Sequence, residues 1–415
     1  MNNIKISFIG DLMCDQALLE AAKQGSSYNF SEVFSGLTEL FQDSDIVVGN
    51  FETVLGGSEP YRGRGFIYNT PDSFASAIRS AGVDILTTAN NHALDGGIEG
   101  LLRTKEVLQK LGFEIIGTNL PTETKNEKIL IKEVSGLRLA FLSYTEPVNN
   151  LTQEDDPKQE IPDYLNLLCP LPTRSENKQN IRNRYKGVSG TLRYYLGGIM
   201  QLPFLKFIQN YRIRRKGRKG LPVLQPRTDN LTPRHQDTQY LTRLQKDLIS
   251  AKSKADLVFA CCHCGGQINE KPGSYVNFIS DFFYNHGADA FIGNHPHVIQ
   301  AVDKINDYIA AYCLGSISQT PDGEYRNNPL LPYYSMILHL EIDKLSKKII
   351  HCSYTPVRAV ADQKRYIRIY PLTKLINERP ELQDELLMDA RFLHTRITNT
   401  ETNEDFAIRD EYLIY

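Results

Sequence analysis

The sequence predicts an α/β fold built on parallel strands. Three observations carry this. Four apolar runs, "DIVVGNFE" (45–52), "DILTTANNH" (84–92), "DLVFACCH" (256–263) and "DAFIGNHPH" (289–297), each follow a helix-like stretch. Each opens on an Asp and reaches a polar, ligand-type residue seven positions on, or six in the last run. A fifth run, "IKISFIGD", begins almost at residue 1 and ends on Asp11. Continuous apolar runs of this length between helices read as strands buried on both faces, the mark of a parallel sheet.

The elements follow in order. Helices are expected in "SEVFSGLTELFQDS" (31–44), "DSFASAIRSAG" (72–82), "TQYLTRLQKDLISAKSKA" (238–255) and "SYVNFISDFFYNHG" (274–287), each leading into one of the runs. "EKILIKEV" and "LRLAFLSY" alternate across Ser135-Gly136 as a hairpin, and "YSMILHLEID" and "KIIHCSYT" do so around Lys344–Lys347. Residues 375–415 read as helical and then irregular. Residues 151–235 are rich in Pro, Asn, Arg and Lys and break the pattern. The expected organisation is a core from 1–150 and 236–330, an insertion or lid at 151–235, and a C-terminal hairpin and helical extension at 331–415.

Composition narrows the class. Apolar residues make up 41% and charged residues 23%, which fits a globular protein and not a disordered one. The seven cysteines cannot all pair, and they lack framework spacing. They read as reduced thiols, which suggests a cytoplasmic protein or one peripheral to a membrane. Cys262-His263-Cys264 resembles a zinc fragment, but no second cysteine pair stands at finger spacing. "MNNIKISFIGD" has no basic segment and no long apolar segment of a signal peptide, and no run of about 20 apolar residues occurs.

In open α/β sheets ligands gather at the carboxyl ends of strands. Here those ends deliver Asp11, Glu52, Asn91-His92, His263 and His295/His297. Singly, each has an ordinary reading: a core histidine, a turn asparagine, a solvated glutamate. Together they change the odds, because four of the nine histidines fall at predicted strand ends. Carboxylate, imidazole and amide oxygen form a ligand set for one or two divalent ions, Mn, Zn or Fe. A carboxylate can bridge two such ions, and a histidine that is not a ligand can protonate a leaving group.

In order along the chain, "GDLMCD", "NFETVL", "ANNHALDGG", "HCGGQ", "IGNHPHVIQ" and "YCLGSIS" resemble the motifs of the bacterial capsule-synthesis CapA family. That family is associated with poly-γ-glutamate capsules, and its fold is similar to that of the calcineurin-like metallophosphoesterases. The resemblance spans roughly residues 5–320, apart from the insertion. It implies a four-layer α/β/β/α sandwich of metallophosphatase type. It also implies Asp11, Glu52, Asn91, His263, His295 and His297 as metal ligands, with Glu52 bridging. His92 would be the general acid. Asp95 would either orient His92 or cap the helix that starts near Gly97. Three departures stand out. Met13 occupies the position of a superfamily histidine. Cys264 and Gln267 replace an aromatic residue and an acid. Ser316 replaces a common Asn.

Residues 174–220 hold thirteen Lys or Arg against the single acid Glu176, a local balance of +12 in a chain of net charge −2. Arg212, Arg214, Arg215 and Lys216 are the densest cluster. Three readings remain open: a solvated loop, an element at a membrane surface, or a groove for a polyanion such as polyglutamate. Nucleic acid is not excluded, but no recognised nucleic-acid motif accompanies the charge. The leading expectation is a metal-dependent hydrolase of phosphoester, amide or ester bonds in capsule or envelope polymer synthesis. Its partners would be an anionic polymer or phosphorylated substrate and other capsule-synthesis proteins. The rivals are a non-catalytic polymer-binding subunit and a nucleotide or nucleic-acid phosphoesterase.

Overall fold

The computed structural model describes residues 3–64, 67–120, 128–146, 148–149, 151–177, 227, 229–321, 328–362 and 366–415. Two mixed sheets form its centre. In the first, Ile4–Leu12, Ile46–Phe51, Ile85–Thr87 and Glu114–Ile116 run parallel side by side. The hairpin Tyr334–Asp343 and Lys348–Ala361 adds to it antiparallel, with Tyr334–Asp343 next to Ile4–Leu12. In the second, Leu137–Thr145, Leu257–His263, Ala290–Asn294 and Tyr308–Ala311 are parallel. Leu130–Val134 and Val302–Ile305 close its edges antiparallel.

Alternation along each strand sorts the side chains into three layers. Phe8, Ile46, Val48, Phe141, Phe259 and Ile292 belong to one apolar cluster shared by both sheets. Within it Phe8 lies 5.6 Å from Phe259, and Phe141 lies 5.3 Å from Phe259, between ring centroids. The opposite face of the first sheet, including Ile9, Val47 and Leu86, packs on the helices Gln16–Ala22 and Asp72–Ala81. The opposite face of the second, including Leu142, Val258 and Ala260, packs on Thr238–Lys254 and Ser274–Asn285. This order is consistent with the expected α/β/β/α sandwich. Removal of so much apolar area from water is its main driving force.

Two expected elements are corrected. The helix read over 31–44 is a single 3₁₀ turn, Ser35–Leu37, followed by the short helix Thr38–Gln42. The carbonyl of Val33 is taken by the amide of Ile369, and a Cβ on Gly36 would sit 2.3 Å from the Ile369 carbonyl, so a neighbouring strand claims this backbone. The run "DILTTANNH" is a strand only over Ile85–Thr87. Beyond it the Asn90 side chain donates to the Phe51 carbonyl at 2.7 Å and accepts from the His92 amide at 3.1 Å, bending the chain into a turn. The C-terminal stretch carries the helix Gln383–Thr398 and then a short strand, Tyr412–Leu413, paired with Lys348–Ala361. Among the described residues no helix is long and apolar enough to cross a membrane.

Candidate metal centre

The carboxyl ends of the two sheets meet around Glu52. Asp11 reaches the same point because its strand shifts register against Ile46–Phe51 between Ile9 and Asp11. Gly10 permits this: a Cβ there would lie 2.1 Å from the Gly315 carbonyl. His263 is the last residue of its strand. His295 and His297 follow the strand Ala290–Asn294, both in the left-handed region, at φ 97° and 57°. Such a conformation costs a non-glycine residue about 1–3 kcal/mol and persists where surrounding structure enforces it. Pro296 sits between them, so the extended ladder stops and both rings turn into the gap between the sheets.

The ligand-type atoms converge. His263 Nε2 lies 2.6 Å from Asn91 Oδ1, 3.0 Å from His295 Nδ1 and 3.4 Å from Glu52 Oε1. His297 Nδ1 lies 2.9 Å from Asp11 Oδ2, and its Nε2 lies 3.8 Å from Glu52 Oε1. Two overlapping groups, Glu52–His295–His297 and Asp11–Glu52–His263, could each hold a metal ion. All six residues predicted as ligands are buried. Both carboxylate oxygens of Glu52 and the Asn91 amide nitrogen are buried without a hydrogen-bond partner. Unpaired polar atoms this deep are costly, and a cation at this point would satisfy the Glu52 oxygens. The donor set therefore fits one or two divalent ions.

Electrostatics agree. Burial, then the neighbouring Asp11 charge, pushes the Glu52 carboxyl well above the usual carboxylate range. Burial also pushes Asp11 up, but hydrogen bonds and charge from His263 and His297 outweigh it and hold Asp11 well below that range. Burial, followed by the charges of His263 and His297, pushes His295 well below the usual histidine range.

His92 is buried beside this centre. Its Nδ1 donates to Asp95 Oδ2 at 2.6 Å, which leaves Nε2 turned toward Glu52 Oε1 at 3.9 Å. Asp95 Oδ2 also accepts the Tyr68 amide at 2.6 Å, and the Tyr68 ring meets His92 edge-on. Asp95 does not cap the helix Gly97–Lys110, whose N-cap is Gly96 with no side-chain hydrogen bond. Of its two readings, orienting His92 is the one the geometry keeps.

The chain matches the family described as "Bacterial capsule synthesis protein PGA_cap" over residues 5–319. It belongs to that family. It is 20% identical to the PGA biosynthesis protein CapA of Bacillus subtilis (strain 168) over 75% of this chain and 62% of that protein. It is 22% identical to the capsule biosynthesis protein CapA of Bacillus anthracis, over 75% of this chain and 59% of that one. The chain thus spans less than two thirds of the length of either relative. A solved structure, a hypothetical protein from Thermus thermophilus, is similar at a TM-score of 0.40 and 14% identity, covering 89% of this chain and 98% of that chain.

Within this PGA_cap chain, sequence reasoning missed three side chains around the centre. Asn50 Nδ2 donates to Asp11 Oδ1 at 2.7 Å and lies 3.1 Å from His263 Nδ1, so it ties the two sheets together. It sits in "VVGNFE", where it read as an ordinary strand residue. Asn90 shapes the turn that presents Asn91 and His92. Asn149 Nδ2 lies 3.3 Å from His92 Nε2, and nothing in its sequence surroundings marks it. Met13, buried beside Asp11 in sequence, has no ligand nitrogen or oxygen in its side chain. All seven cysteines are free and buried. Cys262 and Cys264 face the outer apolar cluster, away from His263, which overturns the zinc-fragment reading.

A second group, Glu146, Cys169 and His235, also brings ligand atoms together. Arg234 already fills it, 2.6 Å from Glu146 Oε1 and 2.9 Å from Cys169 Sγ. Arg212, Arg214, Arg215 and Lys216 lie outside the described residues.

Proposed function

We propose that this chain is a metal-dependent hydrolase of metallophosphatase type that cleaves a phosphoester, or an amide or ester in an anionic polymer, during capsule or envelope polymer synthesis. The observation that carries the reading is Glu52: a fully buried carboxylate without a hydrogen-bond partner, faced by His263, His297 and His92 within 3.9 Å. Asp11, Glu52, Asn91, His263, His295 and His297 would hold the ions. When bound at such a site, divalent ions polarise a phosphoryl or acyl oxygen and lower the pKa of water.

The chain's own groups do the rest. His92 delivers a proton from Nε2 to the leaving oxygen or nitrogen, while Asp95 holds Nδ1–H and stabilises the charged ring. Tyr68 and Asn149 keep the ring in place. Residues 151–235 act as the lid that brings polymer or membrane surface over the crevice. Support comes from their flanks. The Glu146 amide donates to the His263 carbonyl at 3.0 Å, and Arg234 binds Glu146 from the far side of the insertion.

Met13 favours a second reading, a polymer-binding subunit with a weakened first ion site. Metal analysis of the purified protein decides between the readings, followed by a screen of phosphomonoester, phosphodiester and γ-glutamyl substrates. Tightly bound divalent metal with turnover of one class supports the hydrolase. Metal-free protein that still binds polymer supports the second reading.

A further inference from the structure

The loop after His263 grips the loop that carries His295 and His297. The Cys264 amide donates to the Asn294 carbonyl at 3.1 Å, and the Ile268 amide donates to the Pro296 carbonyl at 2.8 Å. The Gln300 side chain donates back to the Asn269 carbonyl at 2.9 Å. The middle bond reaches the turn itself, between the two histidines. Pro296 has no amide, so its carbonyl is the one hydrogen-bonding group by which it can be held.

Ile268 delivers that bond from a strained position. The Asn269 amide donates to the Gly266 carbonyl at 3.3 Å, so Gly266–Asn269 is a turn with Ile268 in third place. Ile268 has φ 60°. Positive φ at that place favours Gly or Asn, and a β-branched residue there is an outlier. What the isoleucine supplies instead is an anchor. Ile268 and Val298 are both 0% exposed and form a small apolar cluster of their own, closed by Leu330. Val298 directly follows His297, so amide and side chain of Ile268 hold the turn at two points. Leu330 lies past the residues 5–319 that match the family, and its carbonyl accepts from Arg396 of the C-terminal helix at 3.0 Å.

Strain of this kind persists only where the surroundings enforce it, and it gathers at functional sites. His295 and His297, at φ 97° and 57°, are strained in the same sense and belong to one candidate ligand group with Glu52. Three left-handed non-glycine residues therefore meet at one contact. We propose that Ile268 is a positioning residue of the metal centre: its buried side chain and left-handed backbone hold the His295-Pro296-His297 turn in the conformation that brings both rings into that ligand group. The proposal rests on the metal centre of the reading above and not on the bond cleaved.

The test uses the full-length protein freed of metal. Manganese(II) binding is followed by calorimetry, and the cobalt(II)-loaded protein by visible absorption, for wild type, Ile268→Val, Ile268→Ala and Ile268→Gly. Ile268→Ala should raise the dissociation constant about tenfold or more, the usual scale for losing a group that orients a metal ligand, and should change the cobalt spectrum. Ile268→Val keeps the branch and most of the plug, so it should bind as wild type. Ile268→Gly separates positioning from packing. Glycine adopts φ 60° freely, so the metal-free variant should lose less thermal stability than Ile268→Ala, yet its metal affinity should fall at least as far. If Ile268→Ala does not fold, Leu330→Ala opens the same plug from its outer side and carries the same expectation. Folded variants with wild-type affinity and spectrum overturn the proposal, whatever their stability. Wild-type protein that takes up neither ion overturns it together with the metal centre. The hydrolase reading fails separately, if metal is bound and no substrate is turned over.

Discussion

In the proposed reading His92 and Glu52 have different tasks at the scale of single residues. His92 touches a carboxylate at Nδ1 and turns Nε2 toward Glu52, the arrangement that the proposed general acid requires. His92→Ala should lower turnover by about 10²–10⁴-fold, the usual weight of general acid catalysis, with bound metal unchanged. Loss of metal in that variant would make His92 a ligand instead. Asp95→Asn should leave metal in place as well, yet lower turnover, because the ring loses the carboxylate that holds its Nδ1–H. Glu52 has the opposite signature. Glu52→Gln keeps the shape but removes the carboxylate charge that would hold the ions, so metal content should collapse and turnover with it. An unchanged metal stoichiometry in Glu52→Gln would show that the ions sit elsewhere.

At the scale of elements, the loops that close each strand do the positioning. The register shift before Asp11 and the left-handed turn at His295 and His297 aim side chains that regular strands would point elsewhere. The clasp between Glu146 and Arg234 joins the two flanks of the insertion, with both side chains nearly buried, at 13% and 12% exposure. Burial pushes the Glu146 carboxyl up, but the Arg234 charge and the His235 hydrogen bond outweigh it and hold its pKa at about 2, against an ordinary value of 4.5. A depressed folded-state pKa means the unfolded chain binds the extra proton. The clasp therefore contributes its full stability above about pH 4.5 and loses it as pH falls toward 2. Glu146→Gln should cost about 3–5 kcal/mol at neutral pH, since it strands a buried guanidinium. Its deficit relative to wild type should shrink through that acid window. Equal deficits at pH 7 and pH 3 in chemical denaturation would show that the pair is not the acid-sensitive contact.

At the scale of the whole molecule, the candidate ligand set is assembled only where the two sheets meet. Chelation should therefore lower the thermal midpoint of the whole fold, because a bound ion stabilises by about 2.7 kcal/mol at one hundred times its dissociation constant. A midpoint indifferent to chelator and to added manganese or zinc would exclude tight binding. The basic segment works at the same scale, as a local +12 on a chain of net charge −2. Reversing charge at Arg212, Arg214, Arg215 and Lys216 should weaken binding to polyglutamate or anionic vesicles, and wild-type binding should fade as salt rises. Binding that ignores both salt and these substitutions would remove the segment from substrate capture.

By itself the sequence determined much of the strand-and-helix order, the strand ends on which the candidate ligand residues lie, and the family. These are local properties, because apolar runs, proline and histidine spacing act over a few residues. Tertiary structure alone decided that Asp95 serves His92 and not a helix, since that depends on how the Tyr68 amide and the His92 ring close on one carboxylate. It decided that Asn50 bridges Asp11 and His263, residues 252 positions apart. It also shortened the helix expected in 31–44 to Ser35–Gln42, because the Val33 carbonyl ahead of it is taken by Ile369, a strand residue more than three hundred positions away. Convergence of the six candidate ligand residues from both sheets is the product of packing, and no window of the sequence contains it.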